Sequence, residues 1–175
     1  MRLKANILTQ EQVTRSLTRI THEIIEKNPD LTNVVLLGIK SRGVPLAFIL
    51  ARSIANFGHV EVEVGSLDTK PYRDDLEGDF PDTSEIAFDI AGKDVIIVDD
   101  VLFTGRTVRA AIDAVFKLAR PKTIQLAVLI DRGHRELPIR PDFVGKNIPT
   151  ARSESVSVKL PEPDGECGVY LYGPD

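Results

Sequence analysis

The chain has 175 residues, 42% of them hydrophobic and 27% charged. That suffices for one sizeable core and is too short for two ordinary domains, so one domain over residues 1–175 is expected. Its 22 Lys and Arg against 26 Asp and Glu give a net charge of −4, which excludes a uniformly basic protein held to nucleic acid by net charge and leaves only a local basic face.

The single cysteine, Cys167, cannot form an intramolecular disulfide, and no Cys/His group has zinc-ligand spacing; a reducing, cytoplasmic setting is expected. No apolar run reaches the roughly 18 residues of a membrane span, and no signal peptide is expected at Met1 to Ala5, which lead directly into polar helical sequence.

Thr9 and Gln12 have capping-box spacing, and Val13, Leu17, Ile20 and Ile24 recur at helical intervals, predicting a first helix to about Lys27. Asn28-Pro29-Asp30 stops it. Val34 to Ile39 reads as a strand buried on both faces, Leu46 to Phe57 as a helix, and His59 to Leu67 as an alternating strand in which His59 is structural. From Asp68 to Asp89 the chain carries eight acids against only Lys70 and Arg73. A connection of that length predicts a lid or a disordered segment, a flap over about residues 68–92. The pattern resumes with a strand at Val95 to Val98, a helix at Thr107 to Ala119 and a strand at Thr123 to Ile130. Shorter strands follow at Ser155 to Leu160 and Gly168 to Tyr172. Strands alternating with helices imply an α/β fold, a doubly wound and mostly parallel sheet, with a small hood from terminal or tail segments.

The most informative run is Val95-Ile96-Ile97-Val98-Asp99-Asp100-Val101-Leu102-Phe103-Thr104-Gly105-Arg106-Thr107. A buried strand ends in two acids and a short turn opens a helix, whose unpaired N–H groups attract anions. Thr104 to Thr107 therefore form a phosphate cradle: Gly105 admits close backbone approach, the threonines add hydroxyls and Arg106 adds charge. Asp99 and Asp100 would repel phosphate, so they should accept hydrogen bonds from sugar hydroxyls or hold a ligand-bound magnesium ion. An isolated Asp-Asp would be equally explained by capping of the next helix. No Walker or Rossmann glycine pattern competes.

The complete run resembles the signature of type I phosphoribosyltransferases, enzymes that use 5-phosphoribosyl-1-pyrophosphate (PRPP) with Mg2+. Gly38-Ile39-Lys40-Ser41-Arg42-Gly43 is by itself an ordinary glycine turn; the resemblance makes it the pyrophosphate loop, with Lys40, Ser41, Arg42 and Gly43 binding PRPP. Together with Tyr72-Arg73-Asp74-Asp75-Leu76, Asp131-Arg132-Gly133-His134-Arg135-Glu136-Leu137-Pro138-Ile139-Arg140 and Gly145-Lys146-Asn147-Ile148-Pro149, these segments resemble the family of bacterial pyrimidine-operon attenuation regulators that double as uracil phosphoribosyltransferases. That resemblance spans nearly the whole chain.

It implies conversion of uracil and PRPP to UMP and pyrophosphate, with Asp99, Asp100 and Arg73 catalytic, Val101 to Thr107 on PRPP or UMP, and Asp131 and Arg132 against the uracil edge. It further implies that UMP or UTP promotes binding to the leader mRNA of pyrimidine genes, through Thr18, Arg19, His22, Arg135, Arg140 and Lys146, in a homo-oligomer with no membrane role. The helical wheel itself places Arg15, Thr18, Arg19, His22 and Glu26 opposite the apolar stripe, which is equally a solvated face. No aromatic platform for stacking bases is visible in these segments. Two rivals remain at this stage: a salvage enzyme without an RNA role, and a PRPP-sensing regulator without turnover.

Overall fold

The computed structural model describes Met1 to Asp175. In chain order it contains β1 (Arg2–Leu8), α1 (Gln10–Lys27), β2 (Val34–Ile39), α2 (Gly43–Gly58), β3 (Glu63–Leu67), β4 (Asp94–Leu102), α3 (Arg106–Leu118), β5 (Thr123–Asp131), β6 (Phe143–Asn147), β7 (Ser155–Lys159) and β8 (Gly168–Gly173). Five strands form a parallel sheet in the order β3-β2-β4-β5-β6, while β1, β8 and β7 form an antiparallel hood. The doubly wound sheet and the hood are as expected.

Successive strand residues point to opposite faces, so the continuous apolar runs serve two cores. Leu36, Ile96, Val98 and Leu129 join the buried face of α1 and α2; Val35, Leu37, Ile97 and Val128 join that of α3. Each such side chain, fully buried, contributes about 1.5–3 kcal/mol. The first helix starts where the sequence placed it: the Thr9 hydroxyl accepts from Gln12 N, and Gln12 Oε1 accepts from Thr9 N at 2.9 Å. It ends on Asn28, whose amide donates to Ile24 O and exchanges reciprocal hydrogen bonds with Gln125.

Several boundaries differ from expectation. Residues 2–8 form a hood strand instead of leading directly into helix. Six of its seven residues lack full burial, so no local pattern announced it; pairing with β8 holds it. β6 was also unforeseen: Gly145 interrupts it, and is needed because a Cβ there would lie 2.4 Å from Leu129 O. α2 begins at Gly43, its first turn accommodating Pro45, and ends with His59 in the left-handed conformation at φ 57°. His59 is thus a helix cap outside β3. β4 continues through Asp99 and Asp100 to Leu102, so the acids lie within the strand instead of following it.

Residues 68–92 touch the body at several points. Asp68 accepts from Thr83 N, Thr83 Oγ1 and Lys70 N, Ser66 bridges to Glu85, and Ile90 is buried. Asp74 to Asp79 form the segment's longest continuously exposed run.

Candidate active site

Because β2 pairs with both β3 and β4, the sheet's connections diverge on either side of β2, and the carboxyl ends of β2 and β4 open a crevice where α/β folds take ligands. A cleft of about 570 Å³ lies there, lined by the 40–42 turn, Thr69, Lys70 and Arg73 of the flap, Asp99, Asp100, Thr107 and the hood residues Ser155 to Val158. Gly43 seats the turn: a Cβ on it would lie 2.3 Å from Val98 O, so the backbone approaches β4 as no other residue could.

Asp99 is buried and turned inward, its Oδ1 accepting from Asp100 N at 2.9 Å; Asp100 is half-buried and accepts from Val101 N at 2.8 Å. Burial first, then the Asp100 charge, push the Asp99 carboxyl well above the usual carboxylate range. The pair therefore divides by position into an inner, buried acid and an outer, half-buried one at the cleft. Across from them Arg73 donates to Thr107 Oγ1 at 2.7 Å and forks onto Asp75 at 2.7 and 2.5 Å, which keeps its guanidinium firmly protonated. Lys40 Nζ donates to Thr83 O at 2.5 Å, tying the turn to the flap.

The turn after β4 has the shape of an anion cradle. Gly105 caps α3 at φ 93°, and the Thr104 hydroxyl accepts from Arg106 N. No group of three or more His, Cys, Asp or Glu could cage a metal. Two adjacent carboxylates with room for ligand oxygens suit a magnesium ion that arrives on a phosphorylated substrate.

A model of the phosphoribosyl transferase domain matches residues 4–163. The bifunctional protein PyrR of Chloroflexus aurantiacus is 59% identical, over 94% of this chain and 93% of its own. The pyrimidine operon regulatory protein of Lactococcus lactis subsp. lactis is 52% identical, over 98% of this chain and 99% of its own. This chain belongs to the PyrR branch of the phosphoribosyl transferase family. Among solved structures, the hypoxanthine phosphoribosyltransferase of Trypanosoma cruzi superposes with TM-score 0.77 at 20% identity, covering 99% of this chain and 98% of its own. A hypoxanthine-guanine phosphoribosyltransferase of Bacillus anthracis gives 0.74 at 18%, covering 98% and 99%. At such identities the likeness is one of fold.

Within this phosphoribosyltransferase several side chains expected on ligand are otherwise engaged. Arg42 lines the cleft, but its guanidinium pairs with Asp164 at 2.5 Å and donates to Val158 O, joining the turn to the hood. Arg106 turns outward to Asp74 and Glu136, both at 3.0 Å. Leu102 is buried in the core and Val101 packs at its margin, so these two offer the cradle backbone only. The Phe103 ring lies outside the cleft, under the Arg132 guanidinium at 3.9 Å and edge-on to His134. Arg132 is itself buried, donating to Thr150 Oγ1 and Ala151 O. Asp131 accepts from Gly133 N and pairs with Arg135 at 2.6 Å. His134 Nε2 meets Thr150 O at 2.5 Å.

The residues expected on RNA come from several elements. Thr18 and His22 lie on the outer side of α1. Arg19 reaches across to donate to the Val144 and Gly145 carbonyls of β6, beside exposed Lys146. Arg135 lies behind the cradle, held by Asp131, Phe103 O and Ile139 O. Arg140 is exposed near the start of β5, beside Gln125 and Asp142. Sequence reasoning missed Lys70 and the Ser155 to Val158 strand of the cleft. Their local sequence carries no ligand signal; only the hood's closure over the sheet brings them there.

Proposed function

We propose that the protein converts uracil and PRPP to UMP and pyrophosphate and, with uridine nucleotide bound, binds the leader RNA of pyrimidine genes to promote transcription termination. The observation that carries the enzymatic half is a single cleft in which Asp99 and Asp100 face Lys40, Lys70 and Arg73 at the switch point of the sheet, beside the Thr104 to Thr107 cradle. Relatives sharing more than half their residues with this chain, named a bifunctional protein and a pyrimidine operon regulatory protein, support the regulatory half.

In this reading the cradle N–H groups hold the 5′-phosphate and the Asp100 carboxylate accepts from ribose hydroxyls, while Lys40, Lys70 and Arg73 attract pyrophosphate. Asp99 and Asp100 would hold magnesium jointly with PRPP oxygens, and the ion would neutralise charge on the departing pyrophosphate. The bond from ribose C1 to pyrophosphate breaks as that from uracil N1 to C1 forms, through an oxocarbenium-like state; the N1 proton leaves to solvent or pyrophosphate. Holding the two reactants in line supplies much of the rate. His134 is engaged with Thr150 O and Asp131 with Arg135, so neither is free as a general base.

The purified protein with Mg2+ and PRPP should form UMP from uracil, and Asp100→Asn should abolish most of that turnover. Preferential use of hypoxanthine or orotate would reject the substrate. RNA titration at fixed salt, with and without UMP, tests the other half; the salvage-enzyme reading predicts no difference between leader RNA and an unrelated hairpin.

A further inference from the structure

Away from the cleft, α1 and α2 pack side by side, and with the hood corner at Leu160 and Pro161 they enclose a crevice of about 370 Å³. Core residues Val13 and Leu17 make its floor, and Thr18, Arg52, Ser53 and Asn56 make its rim. At one end stands Phe57, 50% exposed, with the His22 ring against it, centroids 4.6 Å apart at 50°. The sequence could not show this aromatic pair, because its members come from different helices.

Apart from the Thr14 hydroxyl, which donates to Gln10 O, the hydrogen-bonding capacity here is largely unused within the chain. Thr18, His22, Arg52, Ser53 and Asn56 make no side-chain hydrogen bond or ion pair within the chain. In contrast, Arg19, Arg42, Arg73, Arg106 and Arg135 are all engaged. Arg52 is also the only charged residue lining the crevice, so its charge is uncompensated there. A half-exposed aromatic ring, a free amide, free hydroxyls and one lone cation together match a planar, hydrogen-bonding group attached to an anion. Unstacked RNA bases are recognised by this combination.

We propose that this crevice is a nucleobase pocket: one unpaired base of the bound RNA stacks on Phe57, Asn56 and Thr18 meet its polar edge, and Arg52 takes the adjoining phosphate. The proposal rests on the RNA-binding reading above and adds Arg52, Ser53, Asn56 and Phe57 to it. A second copy of the chain could cover exposed Phe57 instead, but it would have to bring an acid to Arg52 at the rim, whereas RNA carries a phosphate beside every base.

The test uses the full chain and pyrimidine leader RNA at fixed salt with saturating UMP, against a fully paired hairpin of equal length. Phe57→Leu should weaken leader binding roughly 5–150-fold, the range expected for losing one base–aromatic stack, and Phe57→Tyr should restore most of it. Arg52→Ala should reduce the salt slope by about 1. 2-Aminopurine in the RNA loop should be quenched by wild type and not by Phe57→Leu, and uracil turnover should be unchanged in all variants. Wild-type binding to leader RNA that Phe57→Leu and Asn56→Ala leave untouched would overturn the pocket and spare the RNA reading. Absence of wild-type RNA binding would overturn both. A drop in sedimenting mass with Phe57→Leu would assign the crevice to a second copy and overturn the pocket.

Discussion

Gly43→Ala is a sharp test of how the cleft is built. The added Cβ would lie 2.3 Å from the Val98 carbonyl oxygen and 3.3 Å from the Asp99 Cα, both backbone atoms inside a fully paired strand. Restoring an ordinary contact of about 3.5 Å requires roughly 1 Å of movement, and β4, bonded on both sides, will yield less than the 40–43 turn. Overpacking of this kind costs typically about 1–3 kcal/mol, which for a chain of this size lowers the melting temperature by about 2–12 °C. The catalytic effect should be larger. The turn and the Asp99–Asp100 pair line the same cleft from opposite sides, and a 1 Å misplacement of reacting partners costs on the order of 100-fold. Steady-state kinetics and a thermal melt on the same preparation measure both. A variant that melts like wild type and keeps its kcat/KM for PRPP would refute the claim that close backbone approach at Gly43 positions the turn.

Asp75 occupies Arg73 as an internal anion, so Asp75→Asn should lower the KM for PRPP about 2–5-fold with kcat little changed, as expected for releasing a partly exposed pair; a raised KM in PRPP titrations would contradict this. Folded Asp99 binds its proton more tightly than the unfolded chain does. Its contribution to stability is therefore fully present below the ordinary carboxylate pKa and is lost as pH rises from there through the raised value. Asp99→Asn should remove this loss, so that denaturant midpoints measured between acidic and neutral pH fall less in the variant than in wild type.

Much of this was legible because the informative residues are local. The capping box, the two-faced apolar strands and the run from Val95 to Thr107 each act over a few positions. The hood strand at Arg2–Leu8 and β6 were not legible, since their order comes from distant partners and from Gly145 fitting against Leu129 O. Charge is the least legible feature of the site. Arg42, Arg106 and Arg135 carry the right charge for phosphate, but Asp164, Glu136 and Asp131 compete for it, and nothing in the local sequence reveals those pairings. The Phe57–His22 pair was hidden for the same reason, in the opposite sense: a site made by two helices.

These paired arginines suggest how the cleft communicates with the rest of the surface. Asp74 at the flap tip pairs with Arg106, Arg106 with Glu136, and Glu136 with Arg152, each at 3.0 Å. Beneath them, the Thr104 carbonyl of the cradle accepts from Glu136 N and Leu137 N. A ligand that shifts the cradle or the flap must therefore displace the loop from Asp131 to Arg140, whose last residue is an exposed cation. Individual pairs of this exposure stabilise the fold little, so their consequence lies in position. Coupling between two ligands is reciprocal and typically about 5–150-fold. Glu136→Gln should cut the factor by which UMP tightens RNA, and equally the factor by which RNA tightens UMP, while RNA affinity without nucleotide stays near wild type. Raising the salt should weaken wild-type coupling more than that of the variant, since exposed ion pairs are screened. Undiminished coupling in Glu136→Gln, measured in both directions at one salt concentration, would remove the ion-pair chain from the path and leave the backbone bonds to Thr104 O as the connection.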